Sequence, residues 1–523
     1  MSKNAGHSAT APNGSANLLR MRRIGIDTYL EPVIYMRSDC HICRSEGFEA
    51  YSRVEVWRGK KRIIATLNVV DTPLITHDEA GLSEAAWHAL GGQDGDNIKV
   101  FHPAPVQSFS HVRAKIYGKP ITSEGANEIM RDIVDGRYSD IEMAAFISTC
   151  AGNRMDMAET TAVTRAMINV GKRLQWGTHP VVDKHCVGGL PGNRTTLIVV
   201  PIVAAAGLTI PKTSSRAITS PAGSADTMET LAPVSLDIHQ IRKVVEREHG
   251  CIAWGGGVSL SPADDILIRV ERPLGLDSDG QLVASVLSKK VAAGSTHVLI
   301  DIPVGPTAKV RSQEAAHALS ERLITVGHDL GITLQTVITD GSQPIGRGVG
   351  PALEALDVLA VLQNAPDAPI DLRERALMLA GRVLEIGGKA DQGAGLAMAR
   401  GILESGLAWN KFQAICDAQG GMRVPPRASH THVMTSKHRG HVKGIDNRRI
   451  ARIAKLAGAP KAAAAGIVFH APLGTAVDVG QPLLTIHAES PGELAYARTY
   501  AEAQEDMILV HEDGHTNGWQ DGE

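Results

Sequence analysis

DKHCVGGLPGNRTTL, residues 183–197, is the stretch of sequence that decides the fold. It places a lysine, a histidine, three glycines and two adjacent threonines directly ahead of an apolar run. Glycines allow a backbone with positive φ whose N–H groups approach an oxyanion closely, and a lysine and hydroxyls add a charge and further hydrogen-bond donors. The stretch therefore predicts an anion-binding loop, and a phosphate is the anion we expect.

A second segment, SSRAITSPAGSADTME at residues 214–229, follows another apolar run. It carries five hydroxyl side chains and an arginine ahead of a helix start that contains Asp and Glu. Glycine-rich turns with a lysine also occur in α/β proteins for conformational reasons alone, so the first segment by itself leaves that alternative open. The two segments together favour a phosphate site.

Length and composition define the class of protein. A chain of 523 residues exceeds the size at which a single core keeps growing, so we expect two to four domains. The 53 Lys and Arg nearly balance the 56 Asp and Glu, for a net charge of -3, which argues against a nucleic acid polymer as partner. Apolar residues make up 43% and aromatic residues 4%, which is typical of an α/β protein rich in small aliphatic side chains.

The composition also predicts the cellular compartment of the protein and whether it binds a metal. No apolar run reaches the roughly 20 residues needed to span a bilayer, so we expect a cytoplasmic protein with no membrane partner. Cysteines are too sparse for a disulfide scaffold, and they are Cys40, Cys43, Cys150, Cys186, Cys251 and Cys416. Cys40 and Cys43 form a CxxC pair without a second pair to complete a zinc site, so we expect reduced thiols and no metal.

Changes of hydrophobic period predict a disordered tail and four domains. The tail covers residues 1–18. Short β-rich runs indicate an N-terminal β-rich domain over 19–106, and amphipathic helices indicate a helical domain over 107–180, to which 262–292 return. Alternating strand-like and helical runs indicate an α/β phosphate-binding domain with a mostly parallel sheet over 181–425. Short strands with glycine turns indicate a C-terminal α+β domain over 426–523.

Capping residues and apolar runs in the sequence predict individual helices. Ser123 is expected to cap one helix, and Ser139–Glu142 and Asp156–Glu159 are expected to form capping boxes for two more. A further helix is expected near Asn447–Leu456.

In the α/β part, apolar runs predict strands at residues 196–203, 298–304 and 333–339. A helix is predicted around 315–326. The glycine-rich loop at 345–350 lacks the GxGxxG spacing of a dinucleotide fingerprint and is interpreted as a structural turn.

The quoted segments resemble the thymidine and pyrimidine-nucleoside phosphorylase family. The resemblance covers most of the chain from about residue 116 and includes a third block, LDSDGQLVASVLSKK at 276–290. It is closest to the type 2 branch that also contains the archaeal AMP phosphorylases, whose longer turn matches Leu190–Asn193. That branch has an N-terminal extension linked to multimer assembly, so the resemblance implies a homodimer or larger homo-oligomer.

The resemblance also implies which residues hold phosphate. Lys184 falls on the lysine of the family's DKHSTGG motif, and Cys186 replaces its serine, although a thiol is a poorer donor than a hydroxyl. The residues implied to bind phosphate are Lys184, Cys186, Gly189, Thr196, Ser214 and Ser224.

The nucleoside is implied to contact the second and third blocks and a lysine that follows them. Ser285 and Lys289, at i and i+4 on one helix face, match the serine and lysine that hold the base. The full set of implied nucleoside-binding residues is Ser215, Arg216, Ala217, Ile218, Thr219, Ser220, Ser285, Lys289 and Lys309.

Two residues are implied to be catalytic. His185 faces the base in thymidine phosphorylases. Asp277 matches the proton donor of the AMP branch, and to act near neutral pH its pKa must be raised by burial or by a neighbouring carboxylate such as Asp279. A helix N-cap is the alternative role for Asp277.

The implied reaction is phosphorolysis of a nucleoside N-glycosidic bond, with inorganic phosphate as co-substrate and no cofactor. Thymidine and phosphate, yielding thymine and 2-deoxyribose 1-phosphate, are the expected substrates; AMP is the alternative. A phosphoribosyltransferase would need acidic Mg²⁺ ligands near the glycine loop, where only Asp183 is seen. A non-catalytic nucleotide-binding module would result if Cys186 disables phosphate binding.

Overall fold

The structure, a computed structural model, describes residues 18–177, 179–217, 220–258, 260–276, 278–504 and 506–511. Its contacts divide the chain into two compact units, with the boundary between Thr149 and Cys150. Residues 1–17 of the predicted tail lie outside the described residues, and Leu18 already begins a strand. The four predicted domain boundaries stay a prediction.

A closed barrel of six strands forms the β-rich part of the first unit. Its strands are β1 (Leu18–Arg23), β2 (Val33–Arg37), β3 (Arg53–Arg58), β4 (Lys61–Val70), β5 (Glu79–Leu82) and β6 (Asn97–Phe101). The order around the barrel is β1-β5-β2-β4-β3-β6, with parallel pairing of β1 with β5 and of β2 with β4. Alternate side chains such as Val54 and Val56 are fully buried and fill the interior.

Among the described residues, five helices begin in this unit, and a sixth comes next in the sequence, in the second unit. They are α1 (His41–Glu46), α2 (Glu84–Leu90), α3 (Phe109–Ile116), α4 (Ser123–Val134), α5 (Asp140–Cys150) and α6 (Met157–Asn169). The capping box of Asp156 with Glu159 is confirmed, and so are the reciprocal bonds between Ser139 and Glu142. The cap of α4 is wrong by one residue, because the Thr122 side chain accepts the bond from the Gly125 N–H and Ser123 is already helical.

The CxxC pair lies at the start of α1. The Cys40 sulfur accepts a hydrogen bond from the Cys43 backbone N–H at 3.2 Å. Both cysteines are buried free thiols.

The α/β part of the second unit alternates strands and helices. Its elements up to the last parallel strand are β7 (Val182–Cys186), α7 (Thr195–Ala205), β8 (Ile210–Ser214), α8 (Ser224–Glu229), α9 (Ile238–Glu248), β9 (Gly250–Trp254), α10 (Pro262–Leu274), α11 (Asp279–Ala292), β10 (His297–Val304), α12 (Gln313–Asp329) and β11 (Thr333–Asp340). Parallel strands pair in the order β11-β10-β7 and, separately, β8-β9, and a parallel bridge joins Val181 to Thr209. The predicted parallel sheet and the predicted helix around 315–326 are confirmed.

The prediction of a strand over 196–203 is wrong, because these residues lie in helix α7. All residues from Thr195 to Ala204 are buried. The helix packs against two of the helices that follow the sheet, α14 (Ile370–Ile386) and α16 (Leu407–Ala418). A helix covered on every side shows no apolar stripe, and its β-branched residues favour a strand by composition.

The remaining elements complete the second unit. They are β12 (Gly348–Val349), α13 (Pro351–Leu362), α15 (Gly395–Glu404), β13 (His430–Thr435), β14 (Gly440–Ile445), α17 (Asn447–Leu456), β15 (Gly466–Phe469), β16 (Ala476–Val477), β17 (Pro482–Ala488), α18 (Pro491–Glu502) and β18 (Ile508–His511). Two antiparallel sheets, β12-β15-β17-β13 and β16-β14-β18, form an α+β region together with α17 and α18. The predicted helix at 447–456 is confirmed. The loop at 345–350 contributes β12 to the first of these sheets, which is a structural role.

None of the helices in the described part of the chain has the length and apolar character that crossing a membrane requires.

A buried arginine joins the glycine loop to α13. The Arg194 side chain is 1% exposed, lies 2.9 Å from Asp357 and 3.3 Å from Glu354, and donates to the Gly348 carbonyl. Burial raises the pKa of Glu354 to about 7, against the opposing effect of Arg194. Removing the guanidinium would leave two carboxyl groups buried without their cation.

We therefore expect Arg194→Met to lower the free energy of unfolding by about 3–5 kcal/mol in urea denaturation, because an uncompensated buried charge is costly. Arg382→Met is the matched control, since Arg382 forms an exposed pair with Glu385 whose loss costs about 0–1 kcal/mol. Equal losses in the two variants would contradict a structural role for the buried arginine.

Candidate active site

A cavity of about 690 Å³ opens beside the carboxyl ends of β7 and β8, within the second unit. This volume lies in the range of small-molecule sites in proteins. Parallel strands place the loops that follow them at one sheet edge, which is where α/β proteins bind ligands.

Most of the residues predicted from the sequence line this one cavity. They are His185, Cys186, Gly189, Thr196, Ser214, Ser215, Arg216, Ala217, Ser220, Ser224, Ser285, Lys289 and Lys309. Asp277, Ile218 and Thr219 lie outside the described residues. Lys184 is the one predicted residue that is described and does not line the cavity.

The glycine loop approaches Lys309 too closely for any side chain. Gly188 and Gly189 have φ of 87° and 82°, in the left-handed region that favours glycine. A Cβ on Gly189 would lie 2.8 Å from the Lys309 backbone nitrogen, whereas a Cβ on Gly188 would meet nothing within 4 Å. Gly189 is therefore needed for both its conformation and its lack of a side chain.

The second segment is held in place by a carboxylate of α8. Asp226 Oδ2 accepts hydrogen bonds from the backbone N–H groups of Ala217, at 2.7 Å, and Gly223, at 2.9 Å. Ser224 Oγ donates to the Asn193 carbonyl at 3.1 Å, which ties the second segment to the first. The two segments that the sequence singled out therefore form one continuous wall.

The Arg216 side chain of the same segment interacts with other side chains of the protein. Its guanidinium pairs with Glu229 and lies over the Trp254 ring, 5.0 Å from the ring centre. This arrangement fixes the loop conformation and leaves other groups to supply the positive charge of the cavity.

Thr196 lies in the first turn of α7, where the N–H groups of Thr195 and Thr196 donate to the carbonyls of Gly192 and Asn193 in the preceding turn. The positive end of a helix dipole favours an anion at this position. The Thr196 side chain faces the cavity, while that of Thr195 donates to the Gly192 carbonyl at 2.6 Å.

Two lysines that the sequence analysis did not single out line the cavity, whereas Lys184 does not. Lys184 is 1% exposed, and its Nζ donates to Thr195 Oγ1 at 2.6 Å. Lys212 of β8 and Lys290 of α11 line the cavity instead. Their Nζ atoms lie 3.2 and 2.8 Å from the two carboxylate oxygens of Asp183. Sequence reasoning missed both, although a lysine inside an apolar strand run was a usable signal for Lys212.

Burial, more than this charge cluster, sets the protonation of the first segment. Burial and then the repulsion of nearby lysines, Lys290 first, hold the pKa of His185 well below its usual value, so its imidazole is neutral. Burial raises the pKa of Cys186 to about 12, so its side chain is a thiol. His185 can therefore donate or accept a hydrogen bond but carries no charge near pH 7.

Lys289, which also lines the cavity, is paired with a carboxylate of α10. Its Nζ lies 2.5 Å from Asp264 Oδ2. Burial alone would lower the pKa of Lys289, but the Asp264 carboxylate outweighs it and raises that pKa, so Lys289 stays charged. Burial also raises the pKa of Glu271, which lines the cavity from α10, to about 7.

Within the part of the chain that the structure describes, no three His, Cys, Asp or Glu side chains cluster where a metal ion could bind. The prediction that no cofactor is required stays a prediction.

Models of known protein families match three parts of the chain. The match for the glycosyl transferase family a/b domain covers residues 178–409, and that for the helical bundle domain of the same family covers 110–171. The pyrimidine nucleoside phosphorylase C-terminal domain matches residues 441–505.

Full-length relatives agree with these matches. A protein of Polaromonas sp. (strain JS666) named "Putative thymidine phosphorylase" is 63% identical over 495 residues, covering 95% of this chain and 97% of its own. One of Acidovorax sp. (strain JS42) named "Putative thymidine phosphorylase 2" is 60% identical over 506 residues, covering 97% and 99%. The chain belongs to the thymidine and pyrimidine-nucleoside phosphorylase family, a group of glycosyltransferases.

Among solved structures, anthranilate phosphoribosyltransferase from Thermus thermophilus matches with a TM-score of 0.50 at 21% identity. The match covers 59% of this chain and 99% of that one. At this identity the likeness concerns the fold alone.

The glycine loop yields a test with an internal control. We expect Gly189→Ala to weaken the binding of inorganic phosphate on the order of tenfold or more, because alanine is strained at this φ and its Cβ would displace the Lys309 backbone. Gly188→Ala imposes a similar φ strain without a close contact, so it should weaken binding less. Titration calorimetry compares the two, and a larger loss for Gly188→Ala would contradict the close-approach argument.

Proposed function

We propose that the enzyme cleaves thymidine by phosphorolysis, yielding thymine and 2-deoxyribose 1-phosphate. The observation that carries the proposal is the composition of one cavity. The glycine loop, Thr196, Ser214 and Ser224 line the same cavity as Ser285 and Lys289. Groups suited to an anion and groups suited to a pyrimidine thus line one cavity, and family membership supports the same reaction.

In this reaction a phosphate oxygen attacks C1′ from the face opposite the base. The new C1′–O bond forms as the C1′–N bond breaks, and the bonding electrons leave with the base. Positive charge develops on the sugar and negative charge on the base, so fixed charges that line the cavity lower the barrier.

Two residues would meet the leaving base in different ways. Lys289 remains a cation because of Asp264, so it stabilises negative charge without having to give up a proton. His185 is neutral and can donate a single hydrogen bond to the base. Asp277 stays the predicted proton donor of the AMP branch and lies outside the described residues.

One observation favours AMP as a second candidate substrate. Lys309, Arg311 and Arg448 line the same cavity, and a 5′-phosphate is the part of a nucleotide that such cations would bind. In that case the products are adenine and ribose 1,5-bisphosphate.

We also propose a homodimer or larger assembly and a cytoplasmic location. The first is supported by the family resemblance of the N-terminal region. The second is supported by the six cysteines, all of which are free thiols, as expected in a reducing compartment. Light scattering measures the mass of the assembly, and a monomeric mass would contradict the first proposal.

The substrate is tested by incubating the protein with thymidine or AMP, with and without phosphate, and separating the bases. We expect thymine release that depends on phosphate. Adenine release alone would contradict thymidine as the substrate and support AMP. No phosphate-dependent release from either would favour a phosphoribosyltransferase or a non-catalytic module.

A pair of variants separates the two candidates further. Lys289→Met should reduce kcat for thymidine on the order of a hundredfold, because charge on the leaving base loses its stabilisation. Arg448→Ser should leave thymidine turnover within a few fold, but should raise KM for AMP on the order of tenfold if a 5′-phosphate binds there.

A further inference from the structure

A pair of cysteines in the first unit is not used by the proposed reaction. Cys40 is the N-cap residue of α1, and Cys43 lies in the first turn of that helix. The Cys40 sulfur accepts a hydrogen bond from the Cys43 backbone N–H at 3.2 Å, and the Cys40 carbonyl accepts one from the Arg44 N–H at 3.1 Å. Both cysteines therefore belong to one closed helical turn.

The spacing of the two cysteines suits a disulfide bond. Residues three apart in a helical turn have Cα atoms about 5 Å apart. This separation lies within the range of roughly 4.4–6.8 Å that disulfides span. The two sulfur atoms already interact, because the Cys43 thiol donates a hydrogen bond to the Cys40 sulfur. An S–S bond therefore needs little rearrangement of the backbone.

The same contact makes the two sulfur atoms chemically different. The hydrogen bond from the Cys43 thiol lowers the pKa of Cys40 below its ordinary value, with burial opposing it and backbone N–H groups adding to it. The contact raises the pKa of Cys43, so that sulfur keeps its proton. Burial raises the pKa of three other cysteines to about 12, and these are Cys186, Cys251 and Cys416. Cys40 therefore has a larger thiolate fraction than these three, and the thiolate is the reactive form.

Access to the pair is controlled by α1 itself. Cys40 and Cys43 are 0% and 5% exposed and pack with Ile42 in the core of the barrel. The side chains of His41 and Arg44, on the same helix, are exposed. A helix of six residues is marginally stable by itself and opens locally more easily than the strands of a barrel. A molecule as small as a peroxide can therefore reach the sulfur atoms when α1 opens.

We propose that Cys40 and Cys43 form a reversible oxidation site, at which a peroxide converts the pair to a disulfide and a dithiol reductant restores it. The inference goes beyond the proposed function and does not depend on it. The free thiols of the structure are the reduced state of this site. Disulfides in a reducing compartment are usually transient, which fits a bond that forms only on exposure to oxidant.

The oxidation balances in two steps. The Cys40 thiolate attacks one oxygen of the peroxide, so an S–O bond forms, the O–O bond breaks and hydroxide leaves. The Cys43 sulfur then attacks the Cys40 sulfur, so the S–S bond forms as the S–O bond breaks, and the oxygen leaves as water with the Cys43 proton. Two electrons pass from the sulfur atoms to the peroxide, which ends as water and hydroxide.

The experiment treats the reduced full-length protein with hydrogen peroxide near pH 7, blocks the remaining thiols with an alkylating reagent and digests the protein with trypsin. Cleavage after Arg37 and Arg44 releases residues 38–44, which contain both cysteines. Mass spectrometry should find this peptide lighter by two hydrogen atoms and without alkylation, and dithiothreitol should restore both thiols.

The rate of oxidation gives a second readout. The thiols of residues 38–44 should disappear on the order of tenfold or more faster than those of Cys251 and Cys416, because the larger thiolate fraction of Cys40 outweighs its lower intrinsic nucleophilicity. These two cysteines are a matched comparison, since both are 0% exposed, as Cys40 is.

Two substitutions separate the roles of the two sulfur atoms. Cys43→Ser removes the second thiol, so oxidation should stop at a Cys40 sulfenic acid, which dimedone traps, and no disulfide should form. Cys40→Ser keeps a side chain that can cap α1, and the remaining Cys43 thiol should react at the slow rate of the other buried cysteines. Cys416→Ala is the control and should form the same disulfide as the wild type.

Three results for the wild type would overturn the inference, and they decide it even if neither variant of the pair folds. The first is that the thiols of residues 38–44 outlast those of Cys251 and Cys416. The second is oxidation that dithiothreitol does not reverse, and the third is a disulfide from Cys40 to a different cysteine. Base release from a nucleoside is no part of these readouts, so the oxidation site and the proposed reaction fail separately.

Discussion

The Asp183 carboxylate between two buried ammonium groups is the interaction on which the site depends. It ties β7 to β8 and α11, because Lys212 and Lys290 approach it from the latter two elements. The arrangement concentrates positive charge at the carboxyl ends of parallel strands while still allowing the strands to pack. Burial and then these two lysines keep His185 neutral, whereas Lys289 stays charged beside its own carboxylate, Asp264.

Much of the fold follows from local signals in the sequence. The capping boxes at Ser139 and Asp156 and the helix at Asn447–Leu456 are found where the sequence places them, because capping residues and an apolar stripe act within a few positions. Helix α7 is the instructive failure. Its burial on every side depends on α14 and α16, which come far later in the chain. The local hydrophobic period of residues 196–203 therefore could not predict a helix.

The site likewise contains residues that the sequence could predict and residues that it could not. Glycine and hydroxyl positions were readable because they lie in two short segments of unusual composition, and the structure brings both to one cavity. The motif predicts Lys184 as a phosphate ligand; its Nζ donates to Thr195 Oγ1 in the structure, and its role in phosphate binding stays a prediction. Lys212 and Lys290 could not be identified as a pair, since their common partner is 29 residues from one and 107 from the other.

The central claim is that this cavity transfers inorganic phosphate to the sugar carbon that releases the base. Phosphorus NMR of a reaction with thymidine measures this most directly, because inorganic phosphate and a sugar phosphate ester give separate signals. The account predicts one phosphate ester formed for each thymine released. Thymine released while the inorganic phosphate signal stays unchanged would mean hydrolysis by water and would contradict the account.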